Sequence, residues 1–125
     1  MPSSLLGELL SLQSSVKMMH WTTKSYAQHE ALDNLYGIIN SKGDELVESL
    51  MGMFKLPAIV QVSASGDKTF ANWSKAGKSV PETLQAMHDH LVQIRGMLPD
   101  ETSKSIMDDI IVAFRVAKFV CSMSK

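Results

Sequence analysis

Cysteine is nearly absent: the 125-residue chain has one, Cys121, which leaves no internal disulfide and no thiolate cluster for zinc. Aromatic residues make up 6% of the chain, with only 7 glycines and 4 prolines, a balance that speaks against turn-dense β-sandwiches and collagen-like repeats. Neither sign of charge dominates. Twelve Lys+Arg against thirteen Asp+Glu leave a formal charge of -1, so no global basic field exists to hold nucleic acid or an anionic membrane. Long hydrophobic runs are also missing: Ile110 to Phe114 falls far short of the roughly 20 residues a membrane span needs. The N-terminal run Met1 to Glu8 lacks the basic region of a signal peptide, so the expectation is a soluble, cytoplasmic chain with no membrane partner. No G-x-G-x-x-G, P-loop, G-x-S-x-G or H-E-x-x-H motif occurs.

What the chain does have is 45% hydrophobic residues at helical spacing in a single-domain length, residues 1–125. Leu5, Leu9, Leu12, Val16 and Met19 form one face of a first helix over about residues 3–22. The polar and β-branched stretch Thr22 to Ser25 interrupts it, and Ser25-x-x-Gln28 has the form of a capping box. A second helix over about 26–53 follows, with Leu32, Leu35, Ile39, Leu46 and Leu50 on its apolar face. Residues 54–78, punctuated by Pro57, Gly66 and Gly77, read as a long crossover with a possible short helix over 67–76. Ser79-Val80-Pro81-Glu82 opens a third helix over about 80–97, and Pro99-Asp100 separates it from a fourth over about 101–122, with Asp100 as a candidate cap. Two short links and one long crossover predict an all-α, four-helix bundle of ferritin-like connectivity.

The second helix also carries His29, Asp33, Asp44 and Glu48, two i,i+4 pairs of metal-competent side chains within one stripe about 100° wide. The two pairs stand about 22 Å apart along the axis at ~1.5 Å per residue, so one metal centre cannot touch both. Residues 29 and 48, and 33 and 44, are symmetric about the midpoint between residues 38 and 39. An antiparallel copy of the helix on a two-fold axis would therefore set His29 opposite Glu48 and Asp33 opposite Asp44, forming two identical sites. Gly37, Asn40 and Ser41 near that axis are small enough to admit close approach. The carboxylates gathered there repel one another unless a cation neutralises them. The alternative is that the acidic stripe simply faces solvent.

The run Met19-His20-Trp21-Thr22-Thr23-Lys24-Ser25-Tyr26-Ala27-Gln28-His29-Glu30-Ala31-Leu32-Asp33-Asn34-Leu35-Tyr36, followed by Asp44-Glu45-Leu46-Val47-Glu48, resembles the Dps-type miniferritins. It is also similar to a family of short, virus-encoded ferritin-like proteins of unknown function, for which the compartment would be the host cytoplasm. The miniferritin resemblance implies an intersubunit ferroxidase centre. His20, His29 and Asp33 of one chain and Asp44 and Glu48 of its mate would hold the metal, with Asp33, a bridging Glu48 and the adjacent Trp21 in the chemistry. It implies oxidation of Fe²⁺ to Fe³⁺ by peroxide or dioxygen, with Zn²⁺ or Mn²⁺ as other occupants, in a homodimer through the second helix or a larger cage built from such dimers. The lysine-rich tail that many such proteins use on DNA is absent, so no DNA binding is expected. The virus-like resemblance implies instead a non-catalytic dimeric module with an empty or structural metal site. His20 lies nine residues before His29, which would put it on the opposite face of a continuous helix; it reaches the stripe only if the chain breaks between Thr22 and Ser25.

Other polar residues receive structural readings. Gln85-Ala86-Met87-His88 only imitates the Glu-x-x-His pair of larger ferritins, and His88 and His90 diverge on their helix, which makes them solvated or loop-facing. Asp108 and Asp109 favour the macrodipole of the fourth helix or face water. The nine methionines and Cys121 read as packing residues.

Overall fold

The computed structural model describes residues 2–53 and 79–123, with side chains from residue 5 onward. Within them are four helices: α1 (Pro2–Thr22), α2 (Tyr26–Met53), α3 (Val80–Met97) and α4 (Glu101–Met123). The expected crossover 54–78 and its short helix lie outside the described residues.

The helix ends follow local chemistry. The hydroxyl of Ser79 accepts from the Glu82 amide at 3.3 Å, with Pro81 in the first turn, where its missing N–H costs nothing. Ser25 accepts likewise from the Gln28 amide at 3.3 Å. The reciprocal half of that capping box is not made, because the Gln28 side chain accepts from Thr23 Oγ1 at 2.7 Å and donates to the Cys121 carbonyl of α4 at 3.4 Å. At the start of α4 the Asp100 backbone carbonyl accepts from the Lys104 amide. The expected side-chain cap is not seen there: Asp100 Oδ1 is buried with no hydrogen bond among the described residues.

The apolar faces meet in one core. Leu5, Leu12 and Val16 of α1, Leu32, Leu35 and Leu46 of α2, Leu84, Met87 and Leu91 of α3, and Ile110 and Phe114 of α4 are all fully buried. Around the bundle α1 packs on α2, α2 on α4, α4 on α3, and α3 on α1. Neighbouring helices run antiparallel, as their cross-links show. His20 meets His29; Lys42 pairs with Asp109 while Gln28 reaches Cys121; and Arg95 pairs with Asp108 while Lys118 reaches Gln85. It follows that α2 and α3 are parallel and diagonal, so α2 ends at the opposite end of the bundle from the start of α3. Among the described residues this is an all-α four-helix bundle. No helix among the described residues is long and apolar enough to cross a membrane.

Two sequence readings need correction. Asp108 and Asp109 neither serve the dipole alone nor face water unpaired, since Asp108 binds Arg95 of α3 and Asp109 binds Lys42 of α2 at 3.3 Å. The half-buried His88 and His90 are tied to neighbouring helices. His88 Nε2 accepts from Arg115 of α4 at 2.9 Å, and His90 Nε2 lies 3.2 Å from Glu8 of α1.

Candidate metal centre

The link between α1 and α2 is only three residues long, Thr23 to Ser25, and it folds the two helices back on each other at their junction. Thr23 continues to donate its amide to the Met19 carbonyl, so α1 stays wound until the link itself. That break brings His20, buried at 8% exposure, against His29. Their rings stack with centroids 3.8 Å apart and 24° between planes.

The hydrogen bonds of the pair are reciprocal. His20 Nδ1 lies 2.9 Å from the His29 carbonyl, and His29 Nδ1 lies 2.9 Å from the His20 carbonyl. A carbonyl can only accept, so each Nδ1 carries the proton and donates it, and in the neutral ring each Nε2 is left with a free lone pair. This is the arrangement that fixes ring orientation and tautomer in metal-ligating histidines. Asp33, one helical turn beyond His29, brings its Oδ1 to 3.9 Å from His20 Nε2 while staying largely exposed. His20, His29 and Asp33 thus gather at the junction end of the α1/α2 face.

Asp44 and Glu48 stand on the same outer face toward the far end of α2, both exposed, beside a groove lined by Leu6, Leu10, Val47 and Met51. The chain does not bring the two groups together. Among the described residues no group of three or more His, Cys, Asp or Glu side chains is placed to hold one ion. Between the groups Gly37 is exposed, with open space where a side chain would stand. Trp21 is 67% exposed.

Residues 20–120 match the family of unknown function DUF5856. The chain belongs to that family. No curated protein and no solved structure matches it. The DUF5856 match spans both histidines and the whole acidic stripe, and it carries no activity with it.

One residue beside the site, Lys17, escaped the sequence reading. Lys17 holds its ammonium 4.6 Å from the Tyr36 ring and 5.8 Å from the Trp21 ring, linking α1 to α2 beside the histidines. Lys17 lies four residues before Trp21, a visible helical spacing, but its reach to Tyr36 depends on the register between two helices. Lys42 turns away from the face, toward Glu45 and Asp109, which raise its pKa chiefly through the hydrogen bond to Asp109.

Proposed function

We propose that this chain is a Dps-like miniferritin whose metal site is completed by a second copy. The reciprocal lock of His20 and His29 carries the reading: two imidazoles with aligned protonation, one nearly buried, are each left with an Nε2 lone pair, that of His20 lying 3.9 Å from the Asp33 carboxylate. Such a donor set fits a divalent first-row metal, since imidazole with carboxylate suits Fe²⁺, Mn²⁺ or Zn²⁺ better than Cu⁺. His20, His29 and Asp33 of one chain and Asp44 and Glu48 of the other would hold it, Glu48 from the far side of the two-fold axis.

Iron is then the substrate. Two Fe²⁺ each give one electron to hydrogen peroxide, whose O–O bond breaks and which takes up two protons to leave two waters and two Fe³⁺. The work of the chain is to gather the ions and hold their charge. The carboxylates favour the more highly charged ferric product, and the Nδ1–H to carbonyl bonds keep both imidazoles facing the site through turnover. Trp21 stands beside His20 as the nearest oxidisable ring on α1. Larger assembly, up to a cage that retains the product, would build on the same dimer.

The test is ferric absorbance after adding stoichiometric Fe²⁺ and peroxide to wild type and to the Asp33→Ala, Glu48→Ala double variant. A fast phase only in wild type supports the reading. Equal slow rates reject it and leave the second reading, a dimeric module without catalysis.

A further inference from the structure

The outer face of the α1/α2 pair has a projection at one end and a recess at the other. At the junction stands the Trp21 indole, a large apolar ring left 67% exposed. Lys17 lies between it and Tyr36 of α2, which places the indole over the seam between the two helices. At the opposite end of the same seam, Leu6, Leu10, Val47 and Met51 line an apolar groove whose rim carries Asp44 and Glu48. Leu10 and Met51 are 57% and 56% exposed there. An exposed indole and an exposed apolar groove on one continuous face form the kind of self-complementary patch an isologous pair requires.

We infer that a second copy of this chain docks on this face, each Trp21 entering the groove between Leu10 and Met51 of the other. The inference rests on the two-fold pairing of the proposed function and adds the contact that drives it. The register that sets His29 against Glu48 puts the junction end of one chain over residues 44–51 of the other. Trp21 therefore lies level with the groove, without adjustment. Charge agrees with shape. Lys17, at the level of Tyr36, falls near Ser41 and Asp44 of the second copy, so an ammonium meets the acidic rim, and Gly37 leaves the centre of the face open. Buried aromatic anchors of this kind dominate the energetics of interfaces.

The experiment uses the full chain carrying Trp73→Phe, so that Trp21 is the only indole. Sedimentation and the emission maximum are followed over the same concentration series, with EDTA and with Zn²⁺. The expected result is an emission that shifts to the blue in step with the dimer fraction. Trp21→Ala and, separately, Leu10→Lys should each weaken the dimer by about tenfold or more with helix content unchanged. A dimer whose Trp21 emission stays that of an exposed indole, or one indifferent to both substitutions, overturns the inference; Zn²⁺ still bound by such a dimer leaves the split site standing. A blue-shifted Trp21 in the monomer also overturns it, since the groove or its equivalent is then filled within one chain. If neither Zn²⁺ nor high concentration yields any dimer, both the inference and the split site fail.

Discussion

Two histidines and two carbonyls do most at the scale of the residue. Each imidazole donates to the backbone carbonyl of the other residue, so losing either ring removes a ligand and the stacking contact but leaves the carbonyl that orients its neighbour in place. His20→Ala and His29→Ala should therefore each weaken Zn²⁺ affinity by about the value of one imidazole ligand, with the remaining imidazole still held by its backbone acceptor. Calorimetric titration should show that His29→Ala is not rescued by an intact His20. The candidate ligands were legible as residue types, but the lock was not. It needs the positions of two carbonyls, and sequence spacing alone says only that a break must occur. Cys121 gives a separate test of burial. Desolvation pushes its thiol up to about 11, from an ordinary value near 9.0. A folded-state pKa raised above the unfolded one means that the native state holds its proton longer, so stability is complete below pH 9 and falls as the pH rises from about 9 to 11. Urea midpoints across that range should decline by the equivalent of roughly 2 kcal/mol, and Cys121→Ala should flatten the decline while paying a small packing cost. Below pH 9 iodoacetamide should label the native chain slowly.

Among the elements, caps and apolar spacing were readable because they are local. Ser79 and Ser25 both accept the amide three residues on, at the positions their sequence patterns imply. Local reasoning failed where a side chain had a better partner elsewhere. Gln28 leaves its box for Thr23 and α4, and Asp100 has the right residue type for a cap but its buried Oδ1 has no hydrogen-bond partner among the described residues. A contrast in stability follows. Ser79→Ala should cost about 1 kcal/mol, the usual value of an N-cap, whereas Asp100→Ala should cost measurably less, because no cap bond is lost and a buried unpaired oxygen is removed. In the core, Phe114→Ala should cost about 3–5 kcal/mol, since the ring is fully buried in the shared interior of the bundle. Chemical denaturation of the three variants under one condition checks all of these values. The Arg95–Asp108 and Lys42–Asp109 pairs were missed for the same reason as Gln28: their partners lie on other helices. Being half exposed, they set register more than they add stability.

For the whole molecule, the antiparallel ring α1–α2–α4–α3 leaves the outer α1/α2 face with histidines at one end and carboxylates at the other. The symmetry of that stripe was legible from numbering alone, because a helix converts sequence distance into axial distance with little error. What sequence could not supply was the α1 contribution: the ring of Trp21, the charge of Lys17 and the groove beside Leu10 all depend on which flank of α1 meets α2. The central claim is that each site takes His20, His29 and Asp33 from one chain and Asp44 and Glu48 from another. Mixed protomers test it most directly. A His29→Ala, Asp33→Ala chain and an Asp44→Ala, Glu48→Ala chain are each titrated with Zn²⁺ alone, then after refolding together. The account predicts no tight site in either variant alone, and in the mixed dimer one restored site, half the wild-type stoichiometry per dimer. Tight binding by either variant alone, or none after mixing in dimers shown to be heterodimeric, would contradict it.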